Sequence, residues 1–97
     1  MTRDVVFRPQ AEDELLEVRD WYVGRRPGLG QEFGQELDAL VARIAERPLA
    51  FPAVHGETRR AVLQRFPYAI YFRLAGEVVV VLALQGWQHP SRWRRRS

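Results

Sequence analysis

The side chains best suited to chemistry lie in the second half of this sequence, where arginines surround aromatic and histidine residues. Arg60, Arg65 and Arg73 fall on or beside predicted strands, and His89 follows near the end of the chain. Attack of a ribose 2′-hydroxyl on a phosphodiester needs a base, an acid and cations that stabilise the phosphorane charge. If the protein is a nuclease, these arginines supply the cations and His89 the base, with Tyr71 as a proton carrier. The alternative interpretation of His89 is a solvated loop histidine.

The same residue types also suit binding without catalysis. Arginine and tryptophan are enriched at the hot spots of protein interfaces. The candidate residues for binding a target or a partner are Arg59, Arg60, Tyr71, Arg73, Arg92 and Trp93. Arg59 and Arg60 are neighbours on a predicted strand, so they point to opposite faces, and one can meet a partner while the other braces the adjoining loop. The structural alternatives are ordinary strand-edge charges, an Arg73 that braces the core and a Trp93 that packs against the sheet edge.

Several classes of site are excluded or disfavoured by composition. The chain has no cysteine, which excludes disulfides, a thiol nucleophile and cysteine-based metal sites. Two histidines, His55 and His89, cannot form a zinc site without carboxylates, and the acids of the first predicted helix spread around it as a solvated face. We therefore expect no metal and no cofactor. The apolar run Val78–Leu84 is far shorter than the roughly 20 residues of a membrane helix, and no secretory signal is visible, so a cytoplasmic location is expected.

Charge is distributed unevenly along the chain. The 97 residues predict a single domain, 1–97, with a formal net charge of +3. Residues 1–58 carry 7 Arg and 11 Asp or Glu, whereas residues 59–97 carry 8 Arg and a single acid, Glu77. All 15 basic residues are Arg, which a GC-rich genome explains in part, but such a bias does not explain their positions. The basic second half predicts an acidic partner, either a nucleic acid or an acidic protein segment.

Hydrophobic spacing predicts a strand and two helices in the first half. The strand covers Arg3–Arg8, and a helix then begins at Pro9 and stops at Gly24. Apolar residues at helical spacing define the core-facing stripes of the two helices: Ala11, Leu15, Val18 and Tyr22, widened by Trp21, in the first, and Leu29, Phe33, Leu37, Leu40, Val41 and Ile44 in the second. Pro48 ends the second helix, and the short connection predicts an antiparallel hairpin.

The second half predicts three strands after a loop at residues 48–58. They cover Arg59–Phe66, Tyr68–Leu74 and Val78–Leu84. The order β-α-α-β-β-β predicts an α+β fold, a curved antiparallel sheet with the N-terminal helical hairpin packed on one face. No predicted helix is left for the other face, where Tyr71 and Arg73 would lie, so we expect a partner-binding surface there.

With these elements in place, the chain resembles the RelE/ParE superfamily of type II toxin–antitoxin toxins along nearly its whole length. The residues that carry the resemblance are Pro9 to Leu15, Trp21-Tyr22, Phe33 with Leu37, Ile44 to Pro48, Arg59-Arg60, Phe66 to Arg73, Val78–Val81 and His89-Pro90 with Trp93. The superfamily has the same β-α-α-β-β-β architecture.

The function that the resemblance implies depends on the branch. RelE-like members are ribosome-dependent mRNA endonucleases that use an Arg directly after the residue matching Tyr68, together with a tail Arg and Tyr. Here Ala69 follows Tyr68, Trp87 and Gln88 occupy the region of the tail Arg, and Trp93 stands near the position of the tail Tyr. These departures favour the ParE-like branch, whose members inhibit DNA gyrase.

The first functional hypothesis is therefore a ParE-like gyrase inhibitor without catalytic residues. Two alternative functions stay open. The first is a RelE-like mRNA endonuclease using Arg60, Arg65, Arg73 and His89. The second is a non-toxic nucleic-acid-binding module that uses the basic half. Both toxin hypotheses imply a cognate antitoxin with an acidic amphipathic segment, docked in a groove or added as a strand. Under the ParE-like hypothesis, nucleic acid is contacted only indirectly.

Overall fold

The computed structural model describes residues 2–86, which form two helices and five strands. In chain order the elements are β1 (Asp4–Phe7), α1 (Pro9–Val23), α2 (Leu29–Glu46), a short 3-10 turn (Pro48–Ala50), β2 (Ala53–His55), β3 (Thr58–Val62), β4 (Tyr68–Ala75) and β5 (Val78–Gly86). None of the helices in this part of the chain combines the length and apolar character needed to span a membrane.

Both helices begin and end near the residues that the sequence predicts. Pro9 is the first residue of α1, where its missing N–H costs nothing, and Gly24 follows the last residue. Gly28 precedes α2 at φ 84°, a left-handed conformation that favours glycine. A Cβ on Gly30 would collide with the Val23 side chain, so this glycine lets the two helices of the hairpin approach closely.

The five strands form one open, mixed sheet in the order β1-β5-β4-β3-β2. The α+β class and the packed N-terminal hairpin are confirmed. Three details differ from the prediction. The predicted strand Arg59–Phe66 is too long, because β3 ends at Val62 and residues 63–66 belong to the turn before β4. The first strand lies parallel to β5 whereas the other pairs are antiparallel, so the sheet is not wholly antiparallel. The predicted loop 48–58 also contains β2, which is held by pairing of Ala53 with Arg59.

The core lies between the helical hairpin and one face of the sheet. Its buried residues come from both helices and from the strand positions that point toward them: Ala11, Tyr22, Phe33, Leu37, Leu40, Ile44, Ala61, Leu63, Phe66, Ile70, Phe72, Val79, Val81 and Leu84. Both predicted helical stripes supply residues to this cluster. Trp21, which is predicted to widen the first stripe, is instead 48% exposed. Because side chains alternate along a strand, the neighbours of these strand residues face the other side of the sheet.

A β-bulge interrupts this alternation in β5. Tyr71 pairs with Ala83 but Phe72 pairs with Val81, which leaves Leu82 as an extra residue. The buried residues of β5 are therefore odd-numbered before the bulge, at Val79 and Val81, and even-numbered after it, at Leu84. The sequence does not indicate this change because Val78–Leu84 is apolar at every position. The bulge therefore decides which β5 side chains enter the core and which face away from the helices.

Candidate partner-binding face

The sheet face opposite the helices, here called the open face, carries the predicted binding residues Arg60, Tyr71 and Arg73. They alternate along β3 and β4 with core residues such as Ala61 and Phe72, and so point away from the core. The open face consists of Asp4, Val6, Arg60, Val62, Ala69, Tyr71, Arg73, Ala75, Val78, Val80, Ala83 and Gln85. Within residues 2–86, both helices pack on the other side of the sheet.

Strand register makes both arginines neighbours of Tyr71 on the open face. Arg60 lies directly across from Tyr71, and Arg73 stands two residues further along the same strand as Tyr71. The next row runs from Arg73 through Val80 to Val6. Each cation therefore borders apolar surface, a combination that suits an amphipathic anionic partner.

The two arginines of the open face have no acidic partner in the described part of the chain. No carboxylate among residues 2–86 forms an ion pair with Arg60 or Arg73. Arg73 and Tyr71 are half-buried and Ala69 is fully buried, whereas Arg60 is exposed, Val6 is 48% exposed and Val62 is 40% exposed. The positive charge and apolar area available to another molecule are therefore greatest at Arg60, Val62 and Val6.

Arg59 points to the opposite side of β3 and braces a loop. Its Nη1 donates a hydrogen bond to the Phe51 carbonyl at 2.6 Å. The structure thus gives Arg59 the bracing role and leaves Arg60 exposed, as the strand alternation predicts for the pair. A direct role for Arg59 in binding stays a prediction.

Arg65 does not join the arginines of the open face. It lies in the turn between β3 and β4, where its Nη2 reaches Glu32 Oε1 on α2 at 2.5 Å. The same oxygen lies 3.5 Å from Arg26. Desolvation by burial raises the pKa of Glu32, but hydrogen bonds and charge attraction from Arg65 and Arg26 outweigh it and lower the pKa below its usual value.

A second carboxylate on α2 secures the same turn. Glu36 accepts the backbone N–H of Gln64 and, at 3.2 and 3.3 Å, that of Arg65. An open groove lies between α2 and this turn, and Glu32, Glu36 and Arg65 line part of it. Since these charges already pair with one another or with backbone groups, the groove offers a partner less unsatisfied charge than the open face does.

Glu14 on α1 has a role that the sequence analysis missed. β1 pairs only with Val78–Val81, so the outer edge of β5 continues past the end of β1. Glu14 Oε1 accepts the Leu84 N–H at 2.9 Å on this edge, and Gln10 Nε2 donates to the other carboxylate oxygen at 3.3 Å. The predicted solvated acidic face is therefore wrong for Glu14.

The remaining candidate residues are the two histidines and the aromatic and basic residues near the end of the chain. His89, Arg92 and Trp93 lie outside the described residues, so the structure does not test their predicted roles. His55 is exposed at the end of β2. Between residues 2 and 86, no group of three or more Asp, Glu or His side chains is arranged to hold a metal ion.

Solved structures of known proteins share the fold of this chain. The chain has the fold of a solved toxin–antitoxin protein, the chromosomal ParDE system from P. aeruginosa, with a TM-score of 0.78 at 19% identity over 90% of this chain and 98% of that one. It also superposes on a chain of the RelBE2 toxin–antitoxin complex from Mycobacterium tuberculosis, with a TM-score of 0.59 at 16% identity over 89% and 99% of the two chains. Both solved structures come from toxin–antitoxin systems, and the likeness shows that this chain shares their fold.

The particular family follows from sequence. Residues 5–86 match the family model described as the ParE toxin of the type II toxin–antitoxin system parDE. Toxin ParE2 of Mycobacterium tuberculosis is 28% identical over 93 residues, which cover 94% of this chain and 89% of that protein. The chain belongs to the ParE family of type II toxin–antitoxin toxins, and the predicted resemblance is confirmed.

Proposed function

We propose that the open face binds the acidic amphipathic segment of a cognate antitoxin, and that the free chain stops growth by binding DNA gyrase. The observation that carries the antitoxin proposal is the pair Arg60 and Arg73, which flank Tyr71 without an acidic partner within residues 2–86. The ParE family membership and the toxin–antitoxin systems among the structural relatives support it.

The dimensions of the open face suit one helix of such a partner. From β1 to β3 the sheet spans three strand spacings, or about 14 Å. A helix with its side chains is about 10–12 Å wide. A single amphipathic helix could thus rest its apolar side on Val6 and Val80 while its carboxylates reach Arg73 and Arg60.

Charge reversal tests the antitoxin-binding proposal directly. Arg73→Glu and Arg60→Glu should each weaken binding of the antitoxin encoded beside this gene at least about tenfold in titration calorimetry, since each replaces attraction by repulsion. Arg19→Glu is the matched control, because Arg19 is exposed on α1 and distant from the sheet face. Equal affinity of all three variants and the wild type would place the antitoxin elsewhere.

The gyrase proposal needs its own assay. Purified chain should inhibit supercoiling by DNA gyrase, and a stoichiometric amount of antitoxin should restore it. Unchanged supercoiling at micromolar toxin would refute gyrase as the target while leaving the antitoxin-binding face unaffected.

A RelE-like mRNA endonuclease is the second candidate, favoured by one observation. Arg60 and Arg73 are neighbours of Tyr71 on the open face, so two cations share that face with a phenol that could carry a proton. Arg65, the third cation of that hypothesis, instead pairs with Glu32. Cleavage of messages in a translating extract, lost in Tyr71→Phe, would support this candidate, and intact messages during growth arrest would exclude it.

A further inference from the structure

The strand β1 forms an outer edge of the sheet. At the start of this edge the Arg3 N–H donates to the Ala45 carbonyl at the end of α2 at 3.0 Å, so within residues 2–86 the backbone groups left unpaired are those of Val5 and Phe7. Arg8 N–H donates to the Val81 carbonyl at 3.0 Å, so the even-numbered residues of this segment direct their backbone groups toward β5. The N–H and C=O groups of Val5 and Phe7 consequently point outward. In the described part of the chain, no strand pairs with this side of β1.

We propose that this edge pairs with the same edge of a second copy, antiparallel, about a twofold axis through Val6. Hydrogen bonding requires the outward-facing residues to oppose one another. Of the registers that meet this condition, one places Val5 opposite Phe7 of the second copy and so uses every outward group of both residues. The same register places Val6 opposite Val6 and Asp4 opposite Arg8.

Side-chain chemistry selects the same register. Asp4, Val6 and Arg8 share the exposed side of the strand, and Val6 is 48% exposed. The pairing therefore sets an Asp4–Arg8 ion pair on each side of a central Val6–Val6 contact. Shifting the strands by two residues in either direction places a charge opposite Val6 and leaves Asp4 and Arg8 unmatched.

The resulting dimer would join two five-stranded sheets into one sheet of ten strands. The twofold axis runs perpendicular to the sheet, so both open faces lie on the same side and become continuous across Val6. Two short strands bury less than the roughly 1,600 Å² of a standard interface, so the association is weak and depends on protein concentration. This self-pairing goes beyond the antitoxin and gyrase proposals and rests on neither of them.

Cysteine cross-linking tests the predicted register, because the chain contains no natural cysteine. In the proposed dimer, opposed residues at position 6 form a non-hydrogen-bonded pair with Cα atoms about 4.5 Å apart, a distance that a disulfide can span. The Val6→Cys variant in a glutathione redox buffer should give at least about tenfold more disulfide-linked dimer than Val62→Cys, an exposed valine of the same face. Asp4→Cys, whose opposed residue is Arg8, should also stay unlinked.

Swapping the charges of Asp4 and Arg8 gives an independent test, in which sedimentation equilibrium measures the dimer dissociation constant. Asp4→Arg and Arg8→Asp should each weaken self-association about tenfold, since each variant places like charges opposite one another. The double variant Asp4→Arg/Arg8→Asp should restore wild-type association, and far-UV circular dichroism should show that all variants are folded.

Three results would overturn the proposal. The first is a wild-type chain that stays monomeric throughout the concentration series, with the Val6→Cys variant no better linked than Val62→Cys. The second is failure of the double charge exchange to rescue association that the single variants weaken. The third is a monomeric toxin whose Val5 and Phe7 amide protons become protected from exchange only when antitoxin is added, which would assign this edge to the antitoxin.

Discussion

Replacing Glu14 should reveal how much of the fold depends on one carboxylate at the edge of β5. In Glu14→Ala the half-buried Leu84 N–H loses its acceptor, whose distance is 2.9 Å in the wild type. An unsatisfied group of this kind costs about 1–3 kcal/mol of unfolding free energy. For a chain of 97 residues this corresponds to a fall in Tm of about 5–15 °C.

Two further variants separate the hydrogen bond from the loss of charge. Glu14→Gln keeps a carbonyl acceptor for Leu84, so its unfolding free energy should fall by less than about 1 kcal/mol. Glu17→Ala removes the same charge from an exposed site on the same helix and should leave Tm nearly unchanged. Differential scanning calorimetry gives Tm, and amide hydrogen exchange reports the Leu84 N–H itself. Equal Tm values for Glu14→Ala and Glu17→Ala, with Leu84 exchange unchanged, would refute the assigned role.

Three other changes test the packing and the charge cluster. Phe33→Ala removes a fully buried ring and should cost about 3–5 kcal/mol in urea unfolding, and a loss below about 1 kcal/mol would contradict its place in the core. Gly30→Ala should cost about 1–3 kcal/mol because the new methyl group meets the Val23 side chain, and Val23→Ala should restore part of that loss in the double variant, since the backbone atoms Arg19 O and Val23 N still lie 3.3 Å from the methyl group. Because the pKa of Glu32 is lowered from 4.5 in the folded chain, its stabilisation is present above that value and disappears as the pH falls through the folded pKa. The urea midpoint should accordingly drop further between about pH 7 and pH 3 in the wild type than in Glu32→Gln, and parallel drops would contradict this linkage.

The helices and the open face could be predicted from sequence because local rules determine them. Pro9 and Pro48 mark helix boundaries through backbone geometry, and apolar spacing identifies the buried stripes. Strand alternation separates Tyr71 and Arg73 from the core side chains between them. These features depend on neighbours close in the chain, so a single sequence contains the information.

The features that were missed depend on contacts between distant residues. The strand β2 has only three residues and owes its conformation to pairing with β3. The bulge at Leu82 is hidden because every possible register of an apolar strand looks alike. Arg65 resembles the other arginines in sequence, and only its meeting with Glu32 on α2 separates it from them.

The pairing of β1 with β5 also determines when the sheet can form during synthesis of the chain. Asp4 pairs with Val78, so the first strand to leave the ribosome must wait for the last described strand before it enters the sheet. Such sequence-distant contacts form late, since a long loop must close before they provide any stabilisation. A polypeptide whose translation stops before Val78 lacks the strand that lies between β1 and β4. Incomplete products that end before Val78 consequently cannot assemble the open face, so the surface that we propose for antitoxin binding exists only after nearly complete translation.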